Sequence, residues 1–400
     1  MRPTGWFRAF LLLGLSLGFS YHCFPQTSEP SALATTTDEK SSGSAITPRQ
    51  LLHDLNEHGI APQGVVIYDW SKTLHSGQDS ESGFGRYSFD LLVPVDGKKL
   101  LGLSGSSAMV RLKHHIKVFG ETYDGAAQLY SNIDASSRTT LYEIWFEQRL
   151  MSDRLRIKAG KIDANTEFAV VQNAGDFLNS SMGYSPTIVL FPTYPEPKPG
   201  VSAFLHARGS YGLGLGVFQT AGSNTLSIIE PGRIWNLGKS EHPGRMSFGY
   251  WRLDGSIARF DDSQTSGAQG FYSVVEQAVW RQPFTQRKGE RRVSTFLQLG
   301  WAEGRVSGFT HHIGGGAILQ APLQRRNQDT IGLAATWVRF SSEPQAGFDL
   351  HSELVLEGYY KVPFNKHVAL VQDFQFLHHP GGLRANRDCS VITPRLAVSF

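Results

Sequence analysis

Two neighbouring segments carry the densest alternation of charged groups in this chain. Between Leu141 and Leu150, Glu143, Trp145, Glu147 and Arg149 fall on one face of an extended backbone, because side chains two residues apart in a strand share a side. The other face carries Tyr142, Ile144, Phe146 and Leu150, with Gln148 its polar member. After a turn at Met151–Asp153, Arg154–Ile162 alternates Arg154, Arg156 and Lys158 against Leu155, Ile157 and Ala159. Near the C-terminus, Glu353, Glu357, Asp373, Gln375 and Arg395 occupy polar faces of later alternating segments. These groups offer donors and acceptors rather than a nucleophile. A guanidinium presents five N–H donors in a rigid fork, and carboxylates accept. The same acids and bases can also pair with each other as a solvated ladder that holds strand register. Residues expected near mid-strand, such as Glu147 and Arg156, are the better candidates for solute contact.

Other reactive constellations are missing from the sequence. The pairs His114-His115, His311-His312 and His378-His379 suggest metal, but adjacent strand residues point to opposite faces. Gly314-Gly315-Gly316 has no following Lys-Ser/Thr and opens no helix, so it is no phosphate loop. There is no Cys-x-x-Cys, Gly-x-Ser-x-Gly or His-Glu-x-x-His. The expectation is therefore no catalytic residues, no metal, no cofactor and no enzyme activity. The two cysteines, Cys23 and Cys389, give no disulfide framework.

The elements that must position the charged faces are strands. From about Gly64 the pattern has period two, in segments of about 8–12 residues broken by Gly, Asp, Asn, Ser and Pro. Besides the two segments above, strands are expected at Phe89–Val93, Ala108–Ile116, Ser202–Arg208, Leu213–Gln219, Met246–Leu253, Phe271–Trp280 and Val293–Trp301. Further strands are expected at Gly316–Gln320, Thr330–Phe340, Ser352–Tyr360, Val368–Phe376 and Val391–Phe400. Many end in Trp, Tyr or Phe, and no helices separate them, which disfavours a parallel α/β sheet. Val66–Arg86 and Gly222–Gly244 read as stretches that hold extracellular loops.

Composition points the same way. The 400 residues include 42 Gly, 12% aromatic and only 18% charged residues, with a net charge of +3. That charge implies no nucleic-acid partner, and the aromatic load excludes disorder. Mean hydropathy is −0.23, and beyond the N-terminus no run approaches the ~20 apolar residues of a spanning helix. Arg2 and Arg8 flank the start of an apolar run, Ala9–Phe19, that reads as a signal peptide within residues 1–26. Residues 27–46 read as a flexible periplasmic linker and 47–63 as a helical element. Thr47, Pro48 and Gln50 form an N-cap with capping box, Leu51, Leu52 and Leu55 an apolar face, and Gly59 a stop. So short a helix must dock on something.

The fold class expected is all-β: a transmembrane antiparallel barrel of about 16 strands over residues 64–400, with a short N-terminal helix. Such strands must close, because lipid satisfies no backbone group. Roughly 20 residues per strand and loop gives the count. The apolar faces then meet outer-membrane lipid and the charged faces a water-filled lumen. The chain ends in a strand on Phe400, the kind of terminus that outer-membrane assembly machinery reads.

The blocks Leu141–Leu150, Arg156–Asn165, Glu167-Phe168 and Phe177–Ser181 together resemble the carbohydrate-selective porins of the OprB family. Later blocks agree: Gly270–Trp280 before Leu299–Trp301, Gly314–Gly316 before Asp329–Leu333, and Glu353–Glu357 before Asp373–Gln375 and Pro380–Gly382. The resemblance spans about residues 47–400. It implies a monomeric 16-stranded outer-membrane barrel of a Gram-negative-type bacterium that passes small carbohydrates, glucose the usual one, by diffusion. On that reading Glu143, Trp145, Glu147, Arg149, Arg154, Arg156, Lys158, Glu353, Glu357, Asp373, Gln375 and Arg395 line the pore. Phe168, Asp176 and Asn179 would belong to an inward-folded loop. A broad-specificity or anion-leaning pore, favoured by Arg154, Arg156 and Lys158, is the alternative. A lipid-modifying barrel enzyme and a secreted glycan-binding β-protein are the competing classes.

Overall fold

In the computed structural model, residues 47–75, 83–119, 125–207, 210–238, 242–284, 289–323 and 325–400 are described. The proposed signal peptide and linker, with Cys23, lie outside them. The described residues form sixteen antiparallel strands, each hydrogen-bonded to its neighbours in sequence, that close on themselves. They are β1 (Gln63–His75), β2 (Phe84–Asp96), β3 (Ser106–Phe119), β4 (Arg138–Leu150), β5 (Leu155–Ile162), β6 (Lys198–His206), β7 (Tyr211–Gln219) and β8 (Thr225–Leu237). The circuit continues with β9 (His242–Ala258), β10 (Gln264–Pro283), β11 (Glu290–Ala302), β12 (Phe309–Gln320), β13 (Thr330–Phe340), β14 (Ser352–Pro363), β15 (Val368–His378) and β16 (Cys389–Ser399). Closure runs between β1 and β16, from Val65↔Ser399 to His75↔Ser390. Phe400 extends the seam, its N–H donating to Gly64 O at 2.9 Å and its carbonyl accepting from Gly64 N at 2.8 Å.

Alternation sets the two faces. Ile144, Phe146, Val217, Phe248, Leu297, Ile313, Leu356, Phe374 and Leu396 are exposed on the outside, as a lipid-facing coat requires. The barrel's first and last strands begin and end at the same rim, which fixes that rim as the one with short turns. The opposite rim carries the longer loops, extracellular in this architecture.

Two stretches expected to hold extracellular loops are mostly strand. Val66–Arg86 holds most of β1 and the start of β2, and residues 76–82 between them lie outside the described residues. Gly222–Gly244 contains β8 and the start of β9, joined at the short-turn rim. Pro231-Gly232 lies within that stretch, and Pro231 pairs with Leu213 inside the ladder. Tyr142 also departs from expectation. Arg111 of β3 pairs with Glu143 and Leu112 with Leu141, so Tyr142 is the extra residue of a bulge in β4 and joins Glu143 in pointing inward, buried. A bulge adds one residue and switches the faces that follow.

The N-terminal helix, α1 (Pro48–Glu57), has the expected capping box on Thr47 and Gln50. Gly59 follows it at φ +85°, a left-handed conformation suited to glycine. Its docking is slight: Gly59 O accepts from Asp96 N at 2.8 Å, while Leu51 and Leu52 stay exposed.

The interior is filled unevenly. Residues 163–197, between β5 and β6, fold into the barrel and along its wall. Phe168, Val171, Phe177, Leu178, Met182, Ile188 and Phe191 of this loop are buried against inward side chains such as Phe218, Trp251, Tyr272, Phe296 and Tyr359. The wall is thin where the loop packs. A Cβ on Gly216 of β7 would stand 2.6 Å from the Phe168 ring, and one on Gly332 of β13 2.7 Å from Phe177. The high glycine count thus serves close approach of the loop as well as turns. Phe168 and Asn179 lie buried in this inward loop and Asp176 partly so.

Candidate solute site inside the barrel

The strongest convergence of inward groups lies on β4, β5 and β6. Register places Glu147 opposite Lys158 and Arg149 opposite Arg156, then Arg156 opposite Phe204 and Lys158 opposite Ser202. Two arginines directly opposed would repel. Glu147 offsets this by accepting from both, Arg149 Nε and Arg156 Nη1 each at 3.0 Å. Lys158 Nζ lies 3.6 Å from the same carboxylate.

The inward loop supplies the second acid. Glu167 accepts from Lys158 Nζ at 2.6 Å and Ser202 Oγ at 2.9 Å, and Arg156 Nη2 is 2.7 Å away. Burial alone would raise the Glu167 carboxyl, but the Lys158 and Arg156 charges hold it down at about 2. The cluster thus staples the loop to the wall while leaving two guanidinium groups partly open, Arg149 16% and Arg156 17% exposed against 2% for Glu167. Two rings border it. Lys158 Nζ sits 4.1 Å from the Trp145 ring centre, and Arg156 Cζ 4.5 Å from that of Phe204.

Three sequence expectations are corrected at this site. Glu147 and Arg156 lie toward the short-turn end of their strands rather than at mid-strand, because β4 ends at Leu150 and β5 begins at Leu155. Arg154 lies in the turn before β5 instead of on its inner face. Glu143 faces inward but does not reach open lumen: it is buried, with Arg111 Nη1 at 3.3 Å and Asp163 N donating to it at 3.2 Å.

Glu353, Glu357, Asp373, Gln375 and Arg395 also point inward and are also covered, so they are not open lining. They hold loops down instead. Glu357 accepts from Leu178 N at 2.5 Å and Asn179 N at 3.2 Å. Glu353 accepts from Ala127 N at 2.9 Å, Gln128 N at 2.7 Å and Gly381 N at 2.5 Å. Gln375 donates to Tyr130 O at 2.9 Å and to Asp373 Oδ1 at 2.8 Å. Arg395 grips Asp69 at 2.7 and 2.8 Å and donates to Asn132 Oδ1 at 2.8 Å. Sequence alternation gives the side of the wall, but a loop lying on that side is invisible to it.

The sequence reading missed further residues of the same kind. Glu230 accepts from Ala169 N at 2.9 Å and Tyr272 Oη at 2.6 Å, and Glu276 accepts from Asn173 N at 2.5 Å. Arg245 bonds the Val170 carbonyl and lies 2.7 Å from Glu276. Parity within Gly270–Trp280 could have found Glu276, which shares the inner face with Tyr272 and Val274. Glu230 was hidden by the adjoining Pro-Gly.

Of the histidine pairs, His114-His115 and His311-His312 split between the two faces as strand geometry demands. His378 and His379 do not. His379 lies beyond β15 with φ 56°, and the two rings stack with centres 3.8 Å apart. Among the described residues no three such ligands converge on one point.

A family model described as carbohydrate-selective porin, OprB family, matches residues 93–400. The high-pH structure of Pseudomonas putida OprB superposes with a TM-score of 0.77 at 14% identity, covering 88% of this chain and 96% of that one. The low-pH structure of the same protein gives 0.58 at 14% identity, covering 87% and 95%. The outer-membrane channel DcaP of Acinetobacter baumannii gives 0.51 at 8% identity, covering 85% and 97%. A search of curated proteins returns no match.

Proposed function

The chain belongs to the carbohydrate-selective porin, OprB family, a family of outer-membrane barrels, and from that premise we propose that it conducts small monosaccharides such as glucose past the cluster around Glu147. Family membership makes the barrel a sugar-preferring porin. The identity of the sugar and the residues it meets are the proposal.

The observation that carries the reading is the partly open Arg149–Glu147–Arg156 group with rings at its edges. A sugar is neutral, with many hydroxyls and apolar C–H faces. Arg156 spends donors on Glu147 and Glu167, but a guanidinium has five, so others remain for hydroxyls. Trp145 and Phe204 offer surfaces for C–H faces. Acids that neutralise most of the cationic charge keep the site from trapping ions. Binding is then weak enough to leave, which conduction requires. No bond is made or broken, and the gradient alone drives the flux.

Planar-bilayer conductance of the purified protein tests this. Current through single channels is expected to fall as glucose is added, and to fall less with a disaccharide. Current indifferent to every monosaccharide tried would overturn the proposal. One observation favours an anion-leaning pore instead: three cations, Arg149, Arg156 and Lys158, meet two acids, Glu147 and Glu167. Anion preference without sugar block would favour that reading.

A further inference from the structure

The lipid face of the barrel carries an open hollow of about 640 Å³ at the long-loop rim, on β11, β12 and β13. Its floor is one cross-strand row, Trp301↔His311↔Arg339, in which all three side chains point outward. Arg305 and Glu343, from the loops above, complete the lining together with Glu303. Below the row the outer face is apolar: Leu299↔Ile313↔Trp337, then Leu297↔Gly315↔Ala335, and so on to Val293↔Leu319↔Ile331. Those four rows, with Thr295 their one polar residue, run roughly 20 Å along the strands, on the scale of the apolar band of such barrels. The hollow therefore sits where acyl chains give way to headgroups on the extracellular side.

Its charges are unevenly satisfied. Arg305 is neutralised by Glu303, at 2.6 and 2.8 Å. Arg339 is exposed and has no carboxylate partner among the described residues. His311 is exposed, and its Nδ1 contacts Thr310 Oγ1 at 3.1 Å. An outward arginine at a lipid boundary with no counter-charge of its own calls for an anion from outside the chain. Trp301 beside it is an amphipathic ring of the kind that settles at headgroup level. Glu343 and Glu303 make the hollow unsuited to a bare anion and suited to one that also carries hydroxyls to donate.

We propose that this hollow binds the phosphorylated saccharide headgroup of the outer-leaflet glycolipid, with phosphate on Arg339 and His311, hydroxyls toward Glu343, and acyl chains running down over Leu299, Ile313 and Trp337. The shared chemistry is a phosphate ester. The apolar rows directly beneath the hollow assign it to a lipid rather than to free phosphate. This site faces away from the lumen and is independent of the sugar pathway.

Native mass spectrometry of the delipidated, detergent-purified barrel provides the test, with bis-phosphorylated lipid A, its dephosphorylated form and inorganic phosphate as probes. Bis-phosphorylated lipid A is expected to bind at least about tenfold more tightly than the dephosphorylated form, as the loss of a charge-assisted contact implies. Arg339→Ala should lose most of that preference. Arg252→Ala, on β9 and also facing outward but paired with Asp254 at 2.7 Å, should keep it. Equal binding of both lipids, or an Arg339→Ala variant that binds like the parent, would overturn the site. Inorganic phosphate competing at equal concentration would overturn its assignment to lipid. Heat-modifiable migration of each variant confirms that the barrel has formed before binding is read.

Discussion

Replacing Glu147 with Gln isolates the charge at the centre of the inner cluster. The side chain keeps its size and can still accept from Arg149 or Arg156, which now lie at 3.0 Å. The local tally moves from three cations and two acids to three and one. A monovalent ion passing about 5 Å from the lost carboxylate feels a change of about 0.8 kcal/mol if water screens fully, and roughly twice that at half the dielectric. Chloride gains that energy and potassium loses it, so the chloride-to-potassium permeability ratio should rise between about 16-fold and a few hundredfold. Reversal potentials across a KCl gradient in planar bilayers measure this near 0.1 M salt, where the screening length is about 10 Å. Near 1 M the effect should shrink, because that length falls to about 3 Å. Glucose block should weaken in the same variant, since only one of the two guanidinium groups keeps the acceptor that holds it in place. A permeability ratio equal to the parent's at low salt would refute the reasoning: the cluster would then lie off the conducting path.

Three further outcomes follow from the geometry. The Glu167 carboxyl sits lower in the folded protein than the ordinary glutamate value of about 4.3, at about 2, so its stabilisation is present above pH 4.3 and lost as pH falls through about 2. Thermal unfolding in detergent should show that loss in the parent, of order 3 kcal/mol, and a flatter profile in Glu167→Gln; identical profiles would remove Glu167 as a loop anchor. Gly216→Val puts a branched side chain where a Cβ alone is already 2.6 Å from Phe168, so it should cost about 1–3 kcal/mol and change conductance through a displaced loop. Deleting Phe400 removes two seam hydrogen bonds with Gly64 and should lower the yield of heat-modifiable barrel in cells, the measure of whether assembly reads this terminus.

The barrel was legible because its signal is local. Each strand has to put every second side chain in lipid, so Ile144, Phe146 and Leu150 announce the outer face without reference to any other part of the chain. The strand register at the C-terminus, with Leu396 outward and Arg395 inward, follows from the same rule. Failures came where local rules conflict with pairing. Pro231-Gly232 reads as a turn, but a barrel strand can carry both. Tyr142 reads as lipid-facing until pairing with β3 makes it the extra residue of a bulge.

Composition, alternation and the terminal strand determined by themselves that this is a closed barrel with an apolar coat and a charged inner wall. Tertiary structure alone decided which inner charges stay open. Glu143, Glu353, Glu357 and Arg395 have the right parity for a pore and are buried all the same, because loops return to cover them; the glutamates accept from loop backbone N–H groups and Arg395 donates to Asn132. Phe168, Phe177 and Phe191 form, with the inner wall, an apolar core inside a barrel whose hydrophobic residues otherwise face lipid. The reason is one of range. Which face a side chain takes is set by its own strand, within two residues. Whether that face meets water is set by a loop that crosses the interior from β5 to β14 and β15, through contacts separated by up to 196 residues.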